Sequence, residues 1–214
     1  MRLHSYVVDH DIGFAPNPFQ GFCTLATCKQ IIRRGASVGD WVMGTGAAKN
    51  RRTGFLVYAM RVTETLSFDE YWSDKRFERK RPNLRGSRQV RFGDNIYHHD
   101  SSGNWIQEDS RHSKADGTPE LVHLSRDTGT TEKVLVSDDF VYFGSSGPIV
   151  PTLLREFGIV SGRGHRNRFE DDEISLALEW FAELPRGPIG TPFDWHRTRN
   201  MRSTRTGTSS LVQT

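Results

Sequence analysis

The segment FLVYAMRVTET at residues 55–65 is the clearest strand in the sequence, and it constrains the fold class most strongly. It is rich in aromatic and β-branched residues over eleven positions, which is typical of a buried strand. The elements predicted before it are a strand at 3–8, an aromatic loop at 9–21, a helix at 25–34, a Gly39-Asp40 turn and a short strand at 41–43. This order predicts an α+β domain, built as a small mixed β-barrel with packed helices.

The second half of the chain contains fewer clear elements. A helix is predicted at 68–75, a strand or strand pair at 134–143, and helices at 153–157 and 174–184. Between them, residues 79–133 are polar and rich in Gly, Asp, Ser and His, and a stretch this long without regular elements is unusual in a compact domain. We therefore expect a single domain at 1–196 with a long polar insertion at about 79–133 and a C-terminal helix. Residues 197–214 are basic and rich in Ser and Thr, and we expect a disordered tail.

Apolar runs and cysteines exclude several classes of protein. The longest apolar runs are far shorter than the ~18–20 residues that a membrane span needs. The segment MRLHSYVVDHD at the start lacks the apolar core of a secretory signal. Two cysteines are too few for a disulfide framework. A cytoplasmic protein without a membrane partner is expected.

Positive charge is concentrated in two segments, although the net charge is only +3. Residues 75–91 contain eight basic residues and one acid, and residues 196–214 contain four arginines and no acid. A molecule polarised in this way attracts polyanions without being strongly basic overall.

The arginines of the first basic segment are predicted to bind phosphates. Those assigned this role are Arg81, Arg85, Arg88 and Arg91. Pro82 and Gly86 interrupt any helix, so the arginines would line a loop, and guanidinium groups donate to phosphate oxygens without reading sequence. The alternative is that they form ion pairs with the acidic residues that follow.

Aromatic residues with nearby polar groups are candidates for a base-binding pocket. Trp41, Tyr97 and Trp105 would form its walls by stacking, and Asp94, Asn95 or Asp109 would hydrogen bond to the edge of the base. The alternative is that these rings belong to the apolar core, where aromatic side chains are common.

Histidines and acids are also dense in residues 94–113. The candidates for acid–base catalysis, or for binding a divalent metal, are His98, His99, Asp100, Asp109 and His112. Their spacing matches no metal-binding signature, and Cys23 and Cys28 would lie on different faces of the predicted helix, so no metal site and no cofactor are assigned. A divalent metal stays open as an alternative. The residues otherwise form a solvated loop.

Several segments together resemble a known family. They are DIGFAPNPF at 11–19, VGDWVMGTG at 38–46, LVYAMRVT at 56–63, RGSR at 85–88, GDNIYH at 93–98, WIQEDS at 105–110 and SDDFVYFG at 137–144. The chain resembles, over about residues 3–196, the second family of nucleotide-modification-associated domains, which occurs beside predicted DNA base-modification and conflict systems. The Gly39-Asp40 turn after a helix is also similar to PUA-like, EVE and YTH domains, which bind modified bases in aromatic pockets.

The resemblance and the residues lead to one main hypothesis and two alternatives. The main hypothesis is a PUA/EVE-like nucleic-acid-binding module that recognises a modified base, with DNA, RNA or a modified nucleotide as its partner, in a DNA-modification or phage-conflict system. The first alternative is an enzyme that acts on nucleotides or DNA bases through the histidines and acids above. The second is a protein-interaction domain of a defence system, whose basic surface docks an acidic partner.

Overall fold

The structure is a computed structural model that describes residues 1–160, 162 and 164–195. Its α-helices are α1 (Gln30–Gly35), α2 (Phe68–Ser73), α3 (Arg88–Arg91), α4 (Leu121–Thr128), α5 (Thr152–Glu156) and α6 (Asp171–Glu183). Its strands are β1 (Leu3–Val8), β2 (Cys23–Leu25), β3 (Trp41–Gly46), β4 (Leu56–Arg61), β5 (Glu64–Leu66), β6 (Tyr97–His99), β7 (Trp105–Gln107), β8 (Val134–Ser137), β9 (Asp139–Tyr142), β10 (His165–Arg166) and β11 (Gly187–Pro188). Short 3₁₀ helices cover Ala48–Asn50, Lys75–Lys80 and Gly144–Ser146. No helix among these is long and apolar enough to cross a membrane.

The main sheet has six strands in the order β10-β1-β3-β4-β9-β11. Its centre combines a parallel pair, β1 with β3, and antiparallel pairs of β4 with β3 and with β9. Every residue of β3 is buried, as expected for a strand covered on both faces. Helix α6 packs on one face of this sheet through Phe181, which stacks on Trp41 with ring centroids 5.0 Å apart.

The two longest predicted strands form one bent antiparallel ribbon. Arg61 lies opposite Asp139 in the main sheet, and Glu64 lies opposite Val136 in a second sheet of order β2-β8-β5, so the register continues across the bend. The strands predicted at 55–65 and 134–143 are confirmed, each divided in two by this bend. The ribbon joins the two sheets into one core.

The predicted barrel is wrong, because none of the sheets in the described residues is closed. The outer strands of the main sheet, β10 and β11, have two residues each and are not paired with each other. Such short strands offer too few hydrogen bonds to close a barrel. The architecture is a mixed α/β fold with several open sheets, and the likeness to PUA-like domains stays a prediction.

The helix predicted at 25–34 is wrong in its first half. Leu25 ends β2, where it pairs with Leu135, and the chain then turns through Cys28 and Lys29 in left-handed conformations, with φ angles of 55° and 42°. Helix α1 starts only at Gln30. Strand pairing with β8 has overridden the helical spacing of the apolar residues. The helices predicted at 68–75, 153–157 and 174–184 are confirmed as α2, α5 and α6.

The polar segment at 79–133 contains regular elements that the apolar pattern did not indicate: α3, the β6–β7 hairpin and α4. Buried polar contacts organise its start. The Lys80 ammonium is fully buried and donates to the Asn17 carbonyl and side-chain oxygens, the Phe22 carbonyl and the Thr24 hydroxyl. Asp94 accepts hydrogen bonds from Thr24 and Tyr71 beside it. The predicted tail at 197–214 lies outside the described residues.

Candidate functional site

A cavity of about 1140 Å³ opens where the parallel strands β1 and β3 end. Val7 and Val8 of β1 and Gly46 of β3 line it, together with residues of the loops that follow them. Ligands of open α/β sheets bind beyond the carboxyl ends of parallel strands, because the loops there converge on one edge. This cavity therefore coincides with a favourable position in the fold.

Cys28 and His112 meet on the wall of this cavity. The Cys28 Sγ lies 3.7 Å from Nε2 of His112, and Nδ1 of the same imidazole lies 2.8 Å from Oδ2 of Asp127. Cys28 is half-buried, whereas Asp127 is fully buried behind the imidazole. We call these three residues the thiol triad. A thiol, an imidazole and a carboxylate in this sequence allow the imidazole to accept the thiol proton.

The Asp127 carboxylate determines the tautomer of His112. Its Oδ2 also accepts a hydrogen bond from the Tyr97 hydroxyl at 3.0 Å, and its Oδ1 accepts from the Cys28 backbone N–H at 3.0 Å and from Arg126 Nε at 3.2 Å. An ionised carboxylate only accepts, so the proton of a neutral imidazole is on Nδ1. The lone pair of Nε2 then faces the Cys28 thiol.

Neighbouring side chains hold the His112 ring in place. The ring of Phe14 packs edge-on against it with centroids 4.7 Å apart, and the ring of His123 lies 4.4 Å away. The His112 carbonyl accepts hydrogen bonds from Gln107 Nε2 at 3.2 Å and is 2.9 Å from His123 Nδ1. The imidazole is therefore held in place by packing against the two rings and by the contacts of the His112 carbonyl.

The buried guanidinium of Arg33 connects the two sides of the thiol triad. Its Nε donates to the Cys28 carbonyl at 2.9 Å, its second nitrogen donates to the Lys133 carbonyl at 2.9 Å, and its third donates to the Asp127 carbonyl. The Asp127 carbonyl belongs to the last turn of α4, where helix carbonyls lack intrahelical partners. Arg33 thus caps α4 and fixes the left-handed turn that carries Cys28.

Burial favours the neutral form of both the thiol and the imidazole. It raises the pKa of Cys28, and the negative charge of Asp127 adds to this, whereas Arg126 and Lys29 act in the opposite direction. Burial also lowers the pKa of His112, against its bond to Asp127. Burial of Asp127 would raise its own pKa, but His112, Arg126 and Tyr97 lower the pKa overall. The resting triad is a neutral thiol and imidazole beside an ionised carboxylate.

The donor atoms of the same three side chains lie within 4.8 Å of one another, a separation that metal ligands also have. All the hydrogen-bonding directions of the Asp127 carboxylate are already used by the four donors described above. Only Cys28 Sγ and His112 Nε2 would be free to bind an ion. Protein metal centres for zinc usually provide three or four side-chain ligands, so the donor set does not fit.

Four cations surround the cavity: Lys29, Lys49, Arg111 and Arg126. Lys49 lies 3.9 Å from the exposed carboxylate of Asp9, a distance typical of a weak ion pair. Arg111 is exposed and forms no ion pair within the described residues. The mouth of the cavity therefore has positive charges that are available to an anionic ligand.

The residues predicted to form a base pocket do not converge. Trp41 is in the core against Phe181. Trp105 packs on His99 of the β6–β7 hairpin, with ring centroids 3.8 Å apart. Asp94 is fully buried in the network of Lys80. Only Tyr97 contributes to the thiol triad, through its hydroxyl.

Asn95 and Asp109, the other two predicted base-reading residues, also lie apart. Asn95 is fully buried and donates to the carbonyls of Tyr71 and Phe77. Asp109 is exposed beside a second, smaller depression of about 520 Å³.

Of the predicted acid–base residues, only His112 reaches the cavity. His98 stacks on Trp72 and lies 3.0 Å from Glu108, and His99 pairs with Asp69 at 2.9 Å. Asp100 accepts hydrogen bonds within its own exposed turn, from Ser102 and Asn104. These three side chains stabilise the β6–β7 hairpin.

None of the four predicted phosphate-binding arginines lines the cavity. Arg81 stacks on Trp72, with its guanidinium carbon 3.9 Å from the ring centroid, and with Arg85 it lines the second depression. Arg88 lies 5.8 Å from the ring of Trp195. Across the part of the chain that the structure describes, neither these three nor Arg91 forms an ion pair, so the predicted alternative of pairing with the acidic loop is not observed.

Sequence reasoning missed Cys28, Asp127 and Arg33 as members of a site. The helical spacing predicts that Cys28 lies within a helix, and Asp127 lies in a segment without an apolar pattern. A single arginine at position 33 does not reveal in the sequence that its side chain is buried at a site. The His112 side chain could be proposed because histidines are the usual acid–base groups.

Nearly the whole chain matches one known protein family. The family model described as nucleotide modification associated domain 2 matches residues 1–199. No curated protein and no solved structure matches the chain. The match covers nearly all of the sequence, including every residue of the cavity and of the thiol triad, and the chain belongs to the nucleotide modification associated domain 2 family.

Proposed function

We propose that this protein binds a nucleotide, or a modified base of a nucleic acid, in the cavity at the ends of β1 and β3. The observation that carries the proposal is the combination of ring faces and cations around that cavity. Ligand pockets commonly measure about 300–1,000 Å³, so a cavity of about 1140 Å³ accommodates a nucleotide. Membership of a family associated with nucleotide modification supports a ligand of this class.

The rings that line the cavity would receive the base. Phe14 and His123 both line it and both pack on His112, which creates a small group of rings at one end. Stacking on such rings contributes about 1–3 kcal/mol per base and tolerates chemical modification of the base. These residues take the role that the sequence had assigned to Trp41, Tyr97 and Trp105.

The cations at the mouth would receive phosphate. Lys49 and Arg111 are the best candidates, because one has only a weak ion pair and the other has none among the described residues. A phosphate can therefore bind there without breaking a strong internal contact. Arg85, which lines the second depression, and Arg88, three residues further along the chain, would contact the backbone of a longer nucleic acid. The context would be a cytoplasmic DNA-modification or phage-conflict system.

The test is equilibrium binding of mononucleotides and of single-stranded oligonucleotides, each with and without a modified base. The double variant Lys49→Met/Arg111→Met should bind both more weakly, by about tenfold for each lost contact. With oligonucleotides the salt dependence should fall by about 1.4 in log–log slope. Arg155→Met is the matched control, because Arg155 is an exposed arginine on α5 whose side chain, among the described residues, donates a hydrogen bond to Thr152. Equal, salt-insensitive binding by all three proteins would refute the proposal.

A second arm separates a nucleic acid from a free nucleotide. The variant Arg85→Met/Arg88→Met should lose affinity for oligonucleotides and keep its affinity for mononucleotides if a nucleic acid is the ligand. If both affinities stay unchanged, the ligand is a free nucleotide and the arginine surface has another role.

A further inference from the structure

We propose that Cys28, His112 and Asp127 form a catalytic triad, in which the Cys28 thiol attacks a carbonyl or amidine carbon of a molecule bound in the cavity. The class of substrate, a nucleotide or a base adduct, rests on the proposed function above. The thiol chemistry itself rests only on the geometry of the three side chains. Nothing in the family description assigns an activity to these residues.

The two distances within the triad meet the geometric requirements of an activated nucleophile. A base must lie within hydrogen-bonding distance of the nucleophile, and a third group must orient the base. His112 Nε2 is 3.7 Å from the sulfur, and Asp127 Oδ2 is 2.8 Å from Nδ1. Cys28 and His112 both line the cavity, whereas Asp127 is fully buried on the other side of the imidazole.

The backbone at Cys28 presents the thiol on a sharp turn. A φ angle of 55° is unusual for any residue other than glycine, and such outliers concentrate at functional sites. The turn is held from two sides, since the Cys28 N–H donates to Asp127 and its carbonyl accepts from Arg33. The contacts that hold the turn are made by the residues that complete or support the triad.

Positive charges are close to the atoms that become negative. Arg126 has a guanidinium nitrogen 3.9 Å from the Cys28 sulfur, and Lys29 is the next residue in the chain and also lines the cavity. Both favour the thiolate electrostatically. They would stabilise the sulfur as it loses its proton, and the oxygen or nitrogen that gains charge in the adduct.

The proposed reaction has two stages: formation of a thioester or thioimidate on Cys28, and its breakdown by water or an amine. In each stage His112 takes up one proton and gives it back. The sulfur bonds to the substrate carbon, the thiol proton moves to Nε2 of His112, and the π electrons of the C=O or C=N bond move to the heteroatom. The adduct then collapses, the bond to an amine or alcohol breaks, and the leaving group takes the proton from His112. Water or an amine acceptor adds to the thioester or thioimidate, gives its proton to His112, and Cys28 leaves and recovers that proton as the free thiol.

Alkylation of Cys28 with iodoacetamide tests the role of Asp127, because two explanations predict opposite signs. As a charge alone, Asp127 raises the pKa of Cys28, so Asp127→Asn would accelerate alkylation. As the residue that fixes the tautomer, Asp127 keeps Nε2 unprotonated. An asparagine amide would donate to Nδ1, move the proton to Nε2 and slow alkylation. We expect the rate at pH 7.5 to fall at least tenfold in Asp127→Asn and in His112→Gln.

Cys23 and Asp116 provide internal controls. Cys23 is fully buried, so peptide mass spectrometry of the native protein should find label on Cys28 alone. Asp116 is an exposed acid that caps its own turn, and Asp116→Asn should react like the wild type. An increased rate in Asp127→Asn would overturn the proposal. So would a bound zinc ion that blocks alkylation until a chelator removes it. If Asp127→Asn does not fold, the alkylation rate of His112→Gln tests the proposal instead, because His112 lines the cavity.

A second probe, p-nitrophenyl acetate, tests covalent catalysis directly. The wild type should release a burst of one equivalent of p-nitrophenolate per chain and should then carry an acetyl group on Cys28. In Cys28→Ser the rate of the burst should be at least 100-fold lower. Nucleotide binding is measured on the same Cys28→Ser protein. If Cys28→Ser binds nucleotides and the wild type releases no burst, the catalytic proposal is overturned and the proposed function stands. A burst without nucleotide binding would overturn only the proposed function.

Discussion

Replacement of Arg33 by methionine tests the connection between the fold and the thiol triad. Arg33 is fully buried, and its guanidinium donates to the carbonyls of Cys28, Asp127 and Lys133. Methionine fills a similar volume but offers no donors. The variant therefore leaves three carbonyl groups without these partners: that of Cys28 in the turn before α1, that of Asp127 at the end of α4 and that of Lys133 directly before β8.

The expected loss of stability can be estimated from these contacts. Hydrogen bonds that involve a charged group contribute about 1.5–3 kcal/mol each, which would suggest a large loss. Part of this is offset, because removal of the guanidinium also removes the cost of burying its charge; burial lowers the pKa of Arg33 to about 10. We expect a net loss of about 3–5 kcal/mol. For a chain of this size, that lowers the melting temperature by about 6–20 °C.

The assay is denaturation by urea and by heat, followed by circular dichroism. Arg34→Met is the matched control, because Arg34 is the next residue of α1 and its side chain is exposed. The control should change stability by less than about 0.5 kcal/mol. A difference below about 1 kcal/mol between the two variants would refute the reasoning, since it would mean that the three carbonyls find other partners at little cost.

Two further predictions follow from buried groups. Burial raises the pKa of Asp11 to about 6, so the folded protein binds a proton at Asp11 more tightly than the unfolded chain does. This proton binding stabilises the fold below pH 4, and the stabilisation is lost as the pH rises through 6. The stability of the wild type relative to Asp11→Asn, measured by urea denaturation, should fall by roughly 2 kcal/mol from pH 4 to pH 7, and a constant difference would contradict the assigned cause. Trp41→Ala should cost about 3–5 kcal/mol because Trp41 packs in the core against Phe181. Trp41→Phe should bind nucleotides with unchanged affinity, and a weaker affinity would return Trp41 to the ligand site.

Local patterns were sufficient for the elements with a continuous apolar signal. The strands around 55–65 and 134–143 were predictable, because their apolar and β-branched residues are contiguous and both faces are buried. Helix α2 was predictable for a related reason, since its apolar spacing follows a capping box of Ser67 and Glu70.

Elements held by buried polar contacts were not predictable. The segment after residue 79 is organised by Lys80, which donates to groups near residues 17–24, and no apolar period accompanies those contacts. The helical spacing of Leu25, Cys28, Ile31 and Ile32 predicts a helix where the structure has the turn at Cys28. Pairing of Leu25 with Leu135 decided otherwise, and that pairing joins segments far apart in the chain.

By itself, the sequence determined the family, the mixed α/β class and the main strands, since all three depend on patterns within short segments. The tertiary structure alone decided the candidate site. Cys28 and His112 are 84 residues apart, and Asp127 is 15 residues beyond His112, so no local pattern connects them. They meet because β2 pairs with β8 and Arg33 ties the turn before α1 to the end of α4. Proton transfer requires atoms within a few ångströms, and only the folded chain sets that distance.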